Sequence, residues 1–294
     1  MRRLPEREWQ ERERAHVSRM RRWTEPHRRR RDRGESHPVL DFLFTYYSHR
    51  PSHIERWQPG PDVVLEGVSA RRFLARKAYR EVPGGVVLDS AAFTEGRART
   101  ARFVLELLEA TASRPERLNC FGLHEWAMVY GQPADGIRHA GLPLRLGPEG
   151  TDTVVETLEV RCGHYDAFRF FTEPARPLNR LQPTRETQVR LEQPGCLHAN
   201  MDLFKWAYKL DPFLPAELLG DCFQLAVEIR ELDMRASPYD LSDLGYPPVR
   251  IETPAGRAEY VRSQAAFALR ATPLRDRLVA QCRTLLTNGP ASGK

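Results

Sequence analysis

The sequence predicts a mainly α protein: one helical domain with a small irregular or β portion in its middle, preceded by a disordered basic arm. Three observations lead there. Apolar residues recur at helical spacing over several long segments. Proline and glycine crowd into residues 131–190, where short β-like pieces such as Pro143-Leu144-Arg145-Leu146 interrupt that period. The first 36 residues are dense in arginine and carry no comparable apolar stripe.

Residues 1–36 hold 13 Arg against 7 Asp or Glu, which accounts for the whole net charge of +6; the rest of the chain carries 32 basic and 32 acidic side chains. Charge-rich ends without an apolar face stay solvated. The arm is therefore expected to be disordered, with a frayed helix between Glu6 and Arg22 and an Arg28-Arg29-Arg30-Arg31 tract that holds phosphates nonspecifically. The folded body is expected at 37–287 and opens on the apolar run VLDFLFTYY. A helix is predicted over Thr100–Ala112, with Phe103, Val104, Leu107 and Leu108 on one face, and a second from Pro115 to Tyr130. Helices return at His198–Leu210 and Ala216–Arg235, separated by a turn marked by Asp211-Pro212 and Pro215. Thr253-Pro254 and Thr272-Pro273 have the form of N-cap and N1 pairs and predict two C-terminal helices. Residues 288–294 are expected to be a disordered tail.

Composition bounds the function. At 41% hydrophobic residues the chain has a globular composition. No run approaches 18 apolar residues, so no membrane partner is expected, and the N-terminal arginines lack the apolar stretch of a secretory leader. Cys120, Cys162, Cys196, Cys222 and Cys282 form no CxxC pair, which predicts reduced thiols in a cytoplasmic protein.

Chemistry concentrates between Glu192 and Tyr246. Laid out at 100° per residue, Asp233 falls in the apolar arc of its helix with Arg230 three residues before it. That spacing suits a buried ion pair, and it also suits a general base or a metal ligand. His198 and Asp202 stand one turn apart on a narrow polar stripe, a spacing for chelation or for a carboxylate that orients an imidazole. His124 with Glu125 lies in the apolar segment CFGLHEWAMVY, and His164 with Asp166 in CGHYDAFRFF. Three histidines in three aromatic blocks, each near a carboxylate, make up a donor set used by non-haem iron and catalytic zinc. His124, His164 and His198 are thus the candidate metal ligands.

The strings HPVLDFLFTYYSHRP, FGLHEWAMVYG, GCLHANMDLFKWAYKL and ELDMRASPYDLSDLGYPPVRIETP resemble a bacterial, actinomycete-type family labelled 3-methyladenine DNA glycosylase. The likeness covers about residues 37–280, and the helix–hairpin–helix signature of other glycosylases is absent. The resemblance implies a DNA repair enzyme that hydrolyses N-glycosidic bonds of alkylated bases. Asp233, Asp202 and His198 are then the candidate catalytic residues. Trp126, Tyr130, Tyr165, Trp206, Tyr208 and Lys205 are candidates for holding an extruded base and its backbone, and DNA is the partner, assisted by the arm. The alternatives are a metal-dependent enzyme, with iron or zinc, acting on a small molecule, and a non-catalytic binding module that presents Tyr239, Tyr246 and Pro247-Pro248.

Overall fold

The structure is a computed structural model that describes residues 1–132 and 141–288. In chain order the elements are β1 (Arg2–Leu4), α1 (Glu6–Asp32), α2 (Phe42–Tyr46), α3 (Pro51–Ile54), β2 (Val63–Leu65), β3 (Tyr79–Val82), β4 (Gly85–Leu88), α4 (Glu95–Ala112), α5 (Leu123–Ala127), α6 (Gly147–Thr157), α7 (Tyr165–Phe168), α8 (Gln188–Leu191), α9 (Leu197–Leu210), α10 (Ala216–Arg235) and α11 (Pro254–Asn288). The mainly α architecture expected from periodicity is present. Among the described residues no helix is long and apolar enough to cross a membrane.

The described residues divide into two compact units. Met1–Glu106, Leu203–Gln224 and the segment from Leu274 make the first; Leu107–Asp202 and Leu225–Pro273 make the second. The boundaries fall inside α4, α9, α10 and α11. Helical periodicity runs on unbroken there, so composition carries no sign of them.

In the first unit, the expectation of a disordered arm is corrected. Residues 6–32 form a 27-residue helix with Trp9, His16, Met20, Thr24 and His27 buried. Trp9 stacks on Trp57 at 6.3 Å and meets Phe73 edge-on at 5.7 Å, and its indole donates to the Glu66 carbonyl at 2.9 Å. The buried stripe is hard to read because histidine and threonine fill three of its five positions. Much of the arm's charge is paired: Arg12 with Glu217 at 3.1 Å, Arg19 with Asp221 at 2.7 Å, and Arg30 with Asp41.

The sheet also lies in this unit, not in the expected 131–190 stretch. Its order is β1-β2-β4-β3, with β1 parallel to β2 and the other pairs antiparallel. Val82 and Gly85 face each other across a Pro83-Gly84 turn in which Gly84 has φ of 81°. Gly85 must be glycine, since a Cβ there would lie 2.2 Å from the Leu65 carbonyl oxygen. The Pro143–Leu146 segment contributes only a bridge between Leu144 and Tyr239.

Asp211 in this unit has a pH consequence. Burial pushes its carboxyl up to about 6, against the hydrogen bond from Gln58 and the charges of Arg97, Arg56 and Arg76. A carboxyl raised in the fold is protonated there while still ionised in the unfolded chain, so stability is full at low pH and is lost as pH rises through about 6. Asp211→Asn keeps an oxygen for Gln58 and is expected to flatten the profile between pH 4 and 7. The expected gain at pH 7 is up to about 3 kcal/mol, the shift taken at about 1.4 kcal/mol per pH unit. Urea midpoints across that range test it; parallel profiles for the two proteins would dismiss it.

In the second unit, the predicted helix over 115–130 is only the short α5. It follows Phe121 and Gly122, both at positive φ (47° and 72°), a backbone reversal that a helix through Pro115 would not contain. The two C-terminal helices are one, α11, with Pro273 inside it. Thr253 Oγ1 does accept from Gly256 N at 3.1 Å, as an N-cap should. Thr272 Oγ1 instead donates back to the Ala268 carbonyl at 3.0 Å, a bond made inside a helix. Tyr239 is 1% exposed, so it presents nothing as a recognition loop. The predicted tail lies outside the described residues apart from Asn288, which ends α11.

Candidate metal centre

The three sequence-predicted histidines meet in the second unit. Every residue of α5 is buried, as its all-round apolar composition requires, and Trp126 Nε1 donates to the Ala236 carbonyl at 2.9 Å, which fixes α5 against the end of α10. That contact sets His124 beside Asp233. His164 occupies the extended N-cap position of α7, and His198 is in the first turn of α9. The His124 and His198 rings lie 4.3 Å apart, edge to face, and those of His198 and His164 5.2 Å apart.

His124, His198 and Asp233 each offer a ligand atom, and the three atoms lie within 4.8 Å of one another. His124 Nε2 and Asp233 Oδ1 are 2.9 Å apart, yet neither has an aligned hydrogen-bond partner, although both side chains are almost wholly buried. With metal–ligand bonds of about 2.1 Å, neighbouring ligand atoms stand about 3.0 Å apart in an octahedron and about 3.4 Å in a tetrahedron. The spacing and the misalignment both suit two atoms that aim at a shared point.

The electrostatics favour a cation. Burial tends to push the Asp233 carboxyl up, but His124, His198 and Arg230 hold it well below the usual carboxylate range, so it is ionised. Burial, with His124 beside it, holds His198 well below the usual imidazole range. His198 is therefore neutral at physiological pH, the form that ligates a metal. Arg230 Nη1 donates to Asp233 Oδ2 at 3.0 Å and to Glu125 Oε1 at 2.7 Å. The predicted Arg230–Asp233 ion pair therefore exists, and it leaves the other oxygen of Asp233 toward His124. This is the usual arrangement in which an outer partner orients a ligand.

A narrow cavity of about 40 Å³ reaches His124 and His198. Cys120, Cys162, Cys196 and Glu192 also line it, with Arg117 and Arg161. Burial pushes the Cys162 thiol up to about 12 and raises Cys120 and Cys196 as well, so all three are protonated at neutral pH. No tryptophan, tyrosine or phenylalanine is in its wall.

The sequence found the ligand-type residues but paired several of them wrongly. His124 meets Asp233, while its neighbour Glu125 takes Arg230. His164 meets Asp202 at 3.3 Å and Glu192 at 3.5 Å, while Asp166 pairs with Arg169. Nothing in the sequence marks Glu192, Arg117, Arg161 and the three thiols as site residues, because they sit in loops or at helix ends, where no periodicity defines a face.

The candidate base-binding residues do not form one set. Trp126 is fully buried with the Arg145 guanidinium 5.5 Å from its ring centre. Tyr130 donates to Glu156 at 2.9 Å, and Tyr165 is half-buried at the start of α7. Lys205, Trp206 and Tyr208 belong to the first unit. There Lys205 lies over the Trp206 ring at 4.5 Å, and Tyr208 stacks on His49 at 3.5 Å. Comparison with family models, with curated proteins and with solved structures gives no match.

Proposed function

We propose that the second unit binds a divalent transition metal through His124, His198 and Asp233, and that the protein is a metal-dependent enzyme acting on a small molecule. The observation that carries this reading is the buried pair of His124 Nε2 and Asp233 Oδ1, 2.9 Å apart without aligned partners. Two imidazoles and one carboxylate leave coordination positions open. An ion held there supplies Lewis acidity and lowers the pKa of water bound to it. The chain contributes orientation through Arg230, a neutral His198, and a cavity that admits about three waters at roughly 10–15 Å³ each. Arg117 and Arg161 in its wall suit an anionic group on the substrate.

DNA glycosylase activity on alkylated bases is the second reading. It rests on the family resemblance and on those two arginines, which would contact phosphate. The cavity is small for an extruded purine and has no aromatic face for stacking. In the arm, Arg28, Arg29, Arg30 and Arg31 are each already paired with a carboxylate. Localisation in the cytoplasm belongs with either reading.

One comparison separates them. Protein stripped with chelator and reloaded with Zn²⁺ or Fe²⁺ is assayed for release of 3-methyladenine from alkylated duplex DNA and for hydrolysis of small phosphate and carboxylate esters. Metal-dependent ester turnover, abolished in His124→Ala, supports the leading reading. Base release that is indifferent to chelation would overturn it in favour of the glycosylase.

A further inference from the structure

Arg161 stands in the wall of the cavity that reaches His124 and His198. Its Nε is shut off from solvent, and its guanidinium has no hydrogen bond or ion pair among the described residues. A guanidinium edge buried without an acceptor is costly. The carboxylate of the same wall, Glu192, is engaged elsewhere: its Oε1 accepts from Gln188 Nε2 at 2.7 Å and lies 3.5 Å from His164 Nε2. The three thiols of the wall are uncharged at neutral pH, as described above, so none of them answers the cation.

The backbone holds Arg161 in place. Cys162 N donates to Asn179 Oδ1 at 2.8 Å, Asn179 Nδ2 donates to the Cys162 carbonyl at 2.9 Å, and Arg180 N donates to the Val160 carbonyl at 3.0 Å. A cation held in advance of its partner binds that partner with little further ordering. Size and lining narrow the partner. The cavity, about 40 Å³, has space for about three heavy atoms, the number in a carboxylate group. Leu181, Leu191 and Leu197 give it an apolar side for a short alkyl stem. A planar guanidinium matches a planar carboxylate through two parallel N–H···O bonds.

We infer that Arg161 is a specificity-determining residue, which pairs with the carboxylate of a short aliphatic carboxylic acid held in this cavity. That the acid is the substrate rests on the metal reading above; the pairing itself needs no metal.

The test uses the chelated, metal-free full chain, with acetate as probe and acetamide as its uncharged counterpart, at fixed ionic strength in chloride. Thermal melts across each titration give an affinity, because a ligand of the native state raises stability with the logarithm of its concentration. Acetate is expected to raise the melting temperature, acetamide to leave it unchanged, and inorganic phosphate to bind more weakly than acetate. Arg161→Gln is expected to weaken acetate by about 10-fold or more, as the loss of a charge-assisted pair implies. Arg117→Gln, at an exposed position, should change it by no more than about twofold. Circular dichroism checks folding. Arg161→Lys keeps the charge without the planar fork; it stands in if Arg161→Gln fails to fold, with an expected loss of about threefold or more. Acetate that stabilises no better than acetamide, an unchanged affinity in the folded Arg161 variant, or phosphate that binds more tightly than acetate overturns the proposal. Retention of Co²⁺ by the reloaded chain is measured alongside. Retained Co²⁺ without acetate binding overturns the carboxylate subsite and leaves the metal centre; acetate binding without retained Co²⁺ removes the metal centre and leaves the subsite.

Discussion

Asp233→Asn is expected to yield a folded protein whose affinity for Zn²⁺ or Co²⁺ is lower by about 100-fold or more, larger than the 10–100-fold that follows loss of an outer partner. The amide oxygen can still accept from Arg230, which now bonds Asp233 Oδ2 at 3.0 Å. The amide nitrogen then faces His124, and it has no lone pair for a metal. The ligand set also loses its formal negative charge. Folding should survive because Arg230 keeps Glu125 at 2.7 Å and is not left as a lone buried charge; a truly orphaned partner would cost about 3–5 kcal/mol. Asp166→Asn is the control, since Asp166 pairs with Arg169 and is not one of the three clustered ligand-type residues. Calorimetric titration of both variants decides the matter. Wild-type affinity in Asp233→Asn would remove Asp233 from the ligands and reduce the cluster to a structural ion network.

Removal of residues 1–36 is expected to abolish cooperative folding of the first unit. The deletion takes away β1 and α1, and with them Leu4, Trp9 and Met20, none of which is exposed. It uncovers Trp57 and Phe73, on which Trp9 packs, Phe223, which meets Trp23 edge-on at 5.5 Å, and Phe44, which stacks on His27 at 4.3 Å. Asp221 and Asp41 lose their partners Arg19 and Arg30. The single change Trp9→Ala should cost about 3–5 kcal/mol, as for other fully buried aromatic residues, and urea denaturation reads that directly. A chain beginning at His37 that melts at the full-length temperature would show the helix to be an appendage. Pairing of the arm's arginines further predicts little contribution to polyanion binding, so log affinity for DNA against log salt should be shallow.

The sequence by itself determined the helical class and the positions of α9 and α10. It also gave the burial of α5, and the short list of His124, His164, His198, Asp202, Arg230 and Asp233. These follow from local rules: apolar period sets a helix, and a charged side chain in an apolar arc needs a partner. The tertiary structure alone decided which partner. Asp233 is 109 positions from His124, and Glu192 is 28 from His164, and no spacing within a helix encodes such meetings. The arm shows the same division. Its ion pairs with Asp41, Glu55, Glu217 and Asp221 satisfy charges that look solvated in a linear reading. A charge is assigned to solvent or to a fold by the group that meets it in space, and chain order does not contain that information.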